Sequence, residues 1–284
     1  MSTLADENVM VGGYRVACAA IGFGEPVVLI HGTPSSSYIW RNVAPKLVEA
    51  GHKVHVFDLL GFGASERPFD QGVDTSVSGQ VPILESLMSH WGLERAHIVA
   101  HDIGGAVAQR FCIFQPALAK SLTLIDTVSF DSWPSKRTNE QMKAGLDALI
   151  EKPDIEHRAH FREWLSSTVV QKEKFTSGAL ETFVDLISGP IGQGSLFQHQ
   201  IAHYDHIHTS EISDRLAELS AMPVQIIWGE NDAWQIVDWA HKLHAAIPGS
   251  TLHVLPKCGH FAMEDQPEQI SDLIISFIAD NDAA

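Results

Sequence analysis

The chain has 284 residues, 45% of them hydrophobic and 19% charged, which suffices for one large core or for a core domain carrying an insertion. A formal net charge of −16 argues against nucleic acid and anionic membrane as partners. Three cysteines, Cys18, Cys112 and Cys258, lie far apart in apolar contexts, so they read as buried thiols rather than a disulfide framework or a metal set. The start, M-S-T-L-A-D-E-N, has neither the basic nor the apolar region of a signal peptide, and no apolar run is long enough to span a membrane. A soluble, cytoplasmic protein is expected.

Short apolar runs alternate with helical patterns along most of the chain. Pro26 to Ile30 reads as a strand that ends at H-G-T-P, and Ile39 to Ala50 as a helix stopped by Gly51. Lys53 to Phe57 is a strand running into D-L-L-G-F-G, Val81 to Trp91 a helix, Ala96 to Ala100 a strand, Gly104 to Phe114 a helix, and Ser121 to Ile125 a strand. Later come the strand Val224 to Trp228, the helix Ile236 to Ala246, the strand Thr251 to Leu255, and a final helix from Pro267 to about Ala279. Continuous apolar strands separated by helices imply a mostly parallel sheet flanked by helices on both faces, with its ligand site at the carboxyl ends of the strands. Residues 129–216 break the alternation and read as a helical cap inserted into a core made of residues 1–128 and 217–284.

Three segments hold the candidate chemistry. In A100-H-D-I-G-G105 an acid sits between a strand and a helix, with small residues placed where a sharply turned backbone leaves no room for bulk. W228-G-E-N-D232 ends a late strand, and C258-G-H-F261 follows the last one. Their order, nucleophile then acid then histidine, suits a triad of Asp102, Asp232 and His260. Asp102 as a helix N-cap is the plain alternative, and the two partners argue against it. Asp126, which ends the strand 121–125, is a rival for the triad acid. H203-Y-D-H-I-H208 lacks the spacing of a metal site and reads as a packed or solvated helical face, so no metal and no cofactor is expected.

Taken with H31-G-T-P34 and D58-L-L-G-F-G-A-S65, these segments make the chain resemble the α/β-hydrolase fold family over nearly its whole length. H-D-I-G-G resembles the aspartate-nucleophile branch, which holds epoxide hydrolases and haloalkane dehalogenases. The resemblance implies a covalent alkyl ester on Asp102, hydrolysed by water under general-base catalysis by His260, with backbone N–H groups of Thr33 and Ile103 as the oxyanion hole. His31, His101, Asp58, Gly61, Gly63 and Ser65 are expected to shape loops.

The substrate is expected to be a small, mostly apolar molecule that reacts with water, in a cleft lined by Phe130, Trp133, Trp164 and Phe261, with Trp234 a further candidate. Dehalogenases place a tryptophan after the nucleophile; Ile103 stands there, so epoxide opening is favoured, with Tyr204 and His157 or His160 activating the ring oxygen. Three alternatives remain at this point. They are a haloalkane dehalogenase, an esterase, lactonase or C–C bond hydrolase with an unusual elbow acid, and a non-catalytic receptor or scaffold of the same fold. A homodimer stays open.

Overall fold

The computed structural model describes residues 4–282. Eight strands form one sheet: β1 (Glu7–Val11), β2 (Tyr14–Ile21), β3 (Glu25–Ile30), β4 (His52–Phe57), β5 (Ala96–His101), β6 (Ala119–Ile125), β7 (Val224–Gly229) and β8 (Thr251–Leu255). Their spatial order is β1-β2-β4-β3-β5-β6-β7-β8. β1 pairs antiparallel with β2, and β2 with β4, while every other pairing is parallel.

The parallel strands are apolar on both sides because both sides are covered. Val28 and Ile30 pack into one apolar cluster with α2 (Val77–His90) and α3 (Ile103–Phe114), whereas Val27 and Leu29 pack into the other with α1 (Ala44–Glu49). Ile226 and Trp228 alternate with Ile227 in the same way. The first cluster also takes Ala240 and Leu243 of helix Asp238–Ala246, and the second Ile270, Ile274 and Ile278 of helix Pro267–Asp282. This is the two-period side-chain alternation of a sheet buried on both faces.

Three departures from the sequence reading have local causes. The hairpin β1–β2 goes unread because β1 is mostly exposed and the apolar run of β2 is made largely of alanine and cysteine, which carry little strand preference; its turn is Gly12-Gly13, with φ of 58° and 90°, which glycine adopts without cost. The single helix expected over Ile39 to Ala50 is a 3₁₀ turn, Ser37–Trp40, followed by α1, where Pro45 lies in the first turn and needs no N–H partner. α2 begins at Val77 rather than Val81, capped by Ser76, whose Oγ accepts from the Gly79 amide at 3.3 Å.

The strand register brings the active segments together. Ile30 pairs with Ala100, Ala100 with Leu124, and Ile125 with Ile227. The loops leaving β3, β5, β6 and β7 therefore emerge side by side at the carboxyl edge. Between β6 and β7 the chain is a succession of short helices, from Lys136–Ala144 to Ser213–Ala221, the last running past the expected boundary at 216. No helix among the described residues is long and apolar enough to cross a membrane. All three cysteines are buried and unpaired.

Candidate active site

Asp102 sits at the tip of the β5–α3 turn with φ 54° and ψ −124°, a conformation rare for a side-chain-bearing residue. Its neighbours explain how the turn closes. A Cβ on Gly104 would lie 2.3 Å from the His31 carbonyl oxygen, one on Gly105 would lie 1.9 Å from Thr127 Oγ1, and one on Gly32 would lie 2.4 Å from Asp102 Cβ. The strained φ is anchored by the rest of the turn: the Asp102 carbonyl accepts from the amides of Gly105 at 3.0 Å and Val128 at 3.3 Å, and from Thr127 Oγ1 at 3.1 Å.

The carboxylate is buried and already engaged. The Thr33 amide donates to Oδ1 at 2.7 Å, and His260 Nε2 stands 3.5 Å from Oδ2. On its other side His260 Nδ1 donates to Asp232 Oδ2 at 2.8 Å, which assigns the Nδ1–H to that bond. Asp232 is fixed in turn, since its Oδ1 accepts from the amides of Trp234 at 2.7 Å and Gln235 at 2.8 Å. The three residues thus form a continuous line, Asp102 to His260 to Asp232. Ile103 opens α3, where a first-turn amide has no intrahelical acceptor.

Charge follows this line. Burial opposes ionisation of Asp102, but contact with the His260 imidazole and the Thr33 amide outweigh it and hold the carboxyl below the usual range. Burial likewise opposes the His260 cation, and the charges of Asp232 and Asp102 overcome it, raising the imidazole well above its ordinary value. Both shifts favour charge at this contact, an imidazolium on His260 beside a carboxylate on Asp102. His101 is different: burial, then His260, pushes it down to about 3. It is neutral, and its Nε2–H donates to the His260 carbonyl at 3.0 Å, holding the loop that carries the base.

Asp126, the rival acid, does not touch His260. Its backbone φ is 42°, and its Oδ1 accepts from the Gly229 amide at 2.7 Å. Burial and the charge of Asp232 drive its pKa well above the carboxylate range, so it stays protonated in the fold. The unfolded chain would ionise it above about pH 4. Its raised pKa therefore lowers stability as pH rises past that point. In Asp126→Asn the shape persists and the titration is gone. The melting temperature of this variant is expected to improve relative to the parent as pH goes from 4 to 8; a difference that does not change with pH would refute the assignment.

The loops behave as the sequence suggests. His31 Nε2 accepts from the Leu59 amide at 2.9 Å and its Nδ1–H donates to the Gly32 carbonyl at 2.8 Å. Asp58 accepts from the amides of Ser37 and Ala64, each at 2.7 Å. Both residues tie loops around the nucleophile and face no cavity.

A cavity of about 270 Å³ opens over Asp102. Its walls include Trp133, Trp164, Trp234, Leu196, Ile201 and Tyr204. Trp164 and Trp234 stack at 4.1 Å, and Trp234 lies against His260 at 5.1 Å. Tyr204 bonds through its hydroxyl to Thr33 Oγ1 and packs edge-on to Trp133 at 5.5 Å. Burial, and the charge of Asp102, raise the phenol far above its normal range and keep it a donor. Leu196, Ser132 and Gln235 belong to this cavity and carry no sequence signal, because they reach it only through tertiary packing.

Four expected site residues are placed elsewhere. Phe130 has φ 56° and turns away from the cavity; its ring stacks on Trp239 at 6.2 Å with Lys242 Nζ 4.1 Å above it. Phe261 is fully buried behind His260, against Phe183 at 5.2 Å. His157 and His160 lie three apart on helix Asp154–Ser166 and share a face, but that face lines a second cavity. His157 Nε2–H is committed to the Ile187 carbonyl at 2.8 Å, so it cannot serve a leaving group at Asp102. The H203-Y-D-H-I-H208 imidazoles diverge: His206 reaches Ser210 at 3.3 Å and His208 reaches Ser78 at 2.7 Å. Among the described residues no group of three or more metal-ligating side chains converges.

Residues 25–267 match the family model described as the alpha/beta hydrolase fold. A soluble epoxide hydrolase of Corynebacterium sp. is 29% identical over 304 residues, covering 98% of this chain and 99% of that protein. A 2-hydroxy-6-oxononadienedioate/2-hydroxy-6-oxononatrienedioate hydrolase of Cupriavidus pinatubonensis is 27% identical over 271 residues, covering 93% and 91%. Among solved structures, an alpha/beta hydrolase fold protein from Burkholderia ambifaria superposes with a TM-score of 0.85 at 29% identity, over 96% of this chain and 97% of that one. The chain belongs to the alpha/beta hydrolase fold family.

Proposed function

We propose that the protein is a hydrolase that works through an alkyl ester of Asp102 and opens an epoxide to a diol. The observation that carries this reading is a carboxylate at the elbow whose one oxygen is held by the Thr33 amide at 2.7 Å while the other faces His260 at 3.5 Å. A carboxylate there is suited to displacement at an sp³ carbon. The helices between β6 and β7, read as a cap over the core, supply Tyr204 and the aromatic walls above it.

In this mechanism Oδ2 attacks an epoxide carbon, the ring C–O bond breaks, and the alkoxide takes a proton from Tyr204. Ester formation removes the charge of Asp102, one of the two that keep His260 protonated. The imidazole then releases its proton, which restores Tyr204 through solvent. As a free base it accepts a proton from water attacking Cγ of Asp102. The oxyanion forms at Oδ1, where the Thr33 amide already points, with the Ile103 amide beside it. Collapse expels the second alcohol oxygen, which takes a proton from the new carboxyl, and the ion pair returns.

An epoxide fits the donors better than a halide does. The Trp133 indole N–H is spent on Thr209 Oγ1 and that of Trp234 on Ser167 Oγ, each at 2.9 Å. Ile103 offers no side-chain donor, so among the cavity's tryptophans the Trp164 indole alone is left to a departing halide, one N–H where dehalogenases use two. Asp102 also stands against the esterase and C–C hydrolase reading, because a carboxylate attacking a carbonyl gives a mixed anhydride rather than a simple ester.

The test is a single turnover of styrene oxide in ¹⁸O water, followed by mass analysis of the peptide containing residue 102. The diol of the first turnover should be unlabelled and the label should sit on Asp102. Label in the first diol with none on Asp102 would mean direct attack by water. Halide release from 1-bromobutane without diol formation would move the reading to dehalogenation.

A further inference from the structure

Beside the Asp102 cavity lies a second, narrower one of about 70 Å³. The two share Ser135, Thr138, Trp164 and Ile201 in their walls, so the smaller one adjoins the larger on the side away from the nucleophile. Its walls carry Arg137, Lys152 and His160, and no Asp or Glu. In a chain of net charge −16 this is an unusual concentration of positive groups.

The arginines of the adjoining helix are neutralised and these two cations are not. Arg158 pairs with Asp154 and Asp185, and Arg162 with Glu181. Among the described residues no acid pairs with Arg137 or Lys152. Arg137 instead donates to His160 Nε2 at 3.4 Å, a bond that needs the imidazole neutral. Burial, then the charges of Arg137 and Lys152, lower the His160 pKa, while Glu163 acts weakly the other way, so the field at this ring is positive. A solvated arginine or lysine alone would mean nothing. Two unpaired cations lining the extension of a cavity that ends at a nucleophile give that cavity a polarity.

We infer that the smaller cavity is a subsite for an anionic end of the substrate, so that the molecule carries a carboxylate at the far end of an apolar chain whose other end meets Asp102. Phe161, Phe197, Trp164 and Ile201 pack the chain, and Arg137 and Lys152 hold the anion by charge-assisted hydrogen bonds. The subsite also serves capture, because a local positive mouth offsets the repulsion that the protein's net charge exerts on an anion. The identity of the reacting end rests on the function proposed above; the anion subsite does not.

Binding of octanoate and of octanamide, read by quenching of tryptophan fluorescence, separates the two claims, since neither probe reacts. Octanoate should bind about 10-fold more tightly than octanamide at low ionic strength. That preference should shrink with added salt and vanish in Arg137→Gln/Lys152→Gln, with octanamide unaffected. Both positions are partly or fully exposed, so the variant keeps the fold. Equal affinity for the two probes, or a preference that survives the double substitution, overturns the subsite. As a second arm, a terminal epoxy acid should show a lower KM than its methyl ester at similar kcat, and the double substitution should abolish the difference. Octanoate binding without label transfer to Asp102 would leave the subsite standing and remove the hydrolase reading; label transfer without octanoate preference would do the reverse.

Discussion

His260→Gln should let the first half-reaction run and stop the second. Glutamine keeps a hydrogen bond to Asp232 but accepts no proton from water, so the ester on Asp102 accumulates. Intact-protein mass spectrometry after mixing with excess styrene oxide should show one added substrate mass, localised to the peptide of residue 102, while steady-state turnover falls by roughly 10³-fold or more. Placing Tyr204→Phe in the same background isolates ring opening. The phenol is buried, bonded to Thr33 and protonated, so its loss should slow the appearance of the adduct by about 10²-fold without changing its final amount. Full turnover in His260→Gln, or adduct formation at an unchanged rate without the phenol, would contradict the roles given to these side chains.

A large loss of stability is expected at Gly104. Its Cβ would lie 2.3 Å from the backbone oxygen of His31, and backbone oxygen has no rotamer by which to escape. Gly104→Ala must therefore push α3 away from the β3 loop, separating Asp102 from the Thr33 amide. Overpacking of this kind costs about 3 kcal/mol, which lowers the melting temperature by roughly 5–10 °C. Gly178 is the control, because an added Cβ there meets nothing within 4 Å and the residue closes a short helix. Gly178→Ala should change stability by less than about 1 kcal/mol, with a gain if anything. Scanning calorimetry of the two variants decides it; similar melting temperatures for both would mean that the elbow tolerates the clash.

How far the sequence speaks depends on whether a feature is local. The central parallel strands β3, β5 and β7 are readable because burial on both faces makes them apolar runs, and β4, β6 and β8 because their β-branched and aliphatic residues stand between helical patterns. β1, at the antiparallel margin, is mostly exposed, and the alanine-rich run of β2 carries little strand preference, so the G-G turn between them is their clearest mark. The elbow is readable because its demands are local: small groups at Ala100, Gly104 and Gly105 leave little else that H-D-I-G-G can be. The partners Asp232 and His260 are readable from order along the chain. The cavity wall is not, since side-chain direction there is set by packing between distant segments. Phe130 misleads because a positive φ, invisible in sequence, swings it onto Trp239. His157 misleads because its helix turns that face to the smaller cavity, where a carbonyl takes its proton. Trp234, named only as a possible neighbour, is fixed by the same turn of amides that holds Asp232.

The left-handed backbone at Asp102 has a consequence for what this molecule can become. The strain lies in the main chain of residue 102 and three glycines give it room, so the turn does not depend on which short polar side chain it presents. The amide that meets Oδ1 and the imidazole that faces Oδ2 would meet an alkoxide and its proton acceptor equally well. Reaction type is thus uncoupled from architecture: under the function proposed above, the commitment to saturated carbon rests on a single side chain, and the scaffold that displays it would serve a carbonyl chemistry with no movement of its backbone.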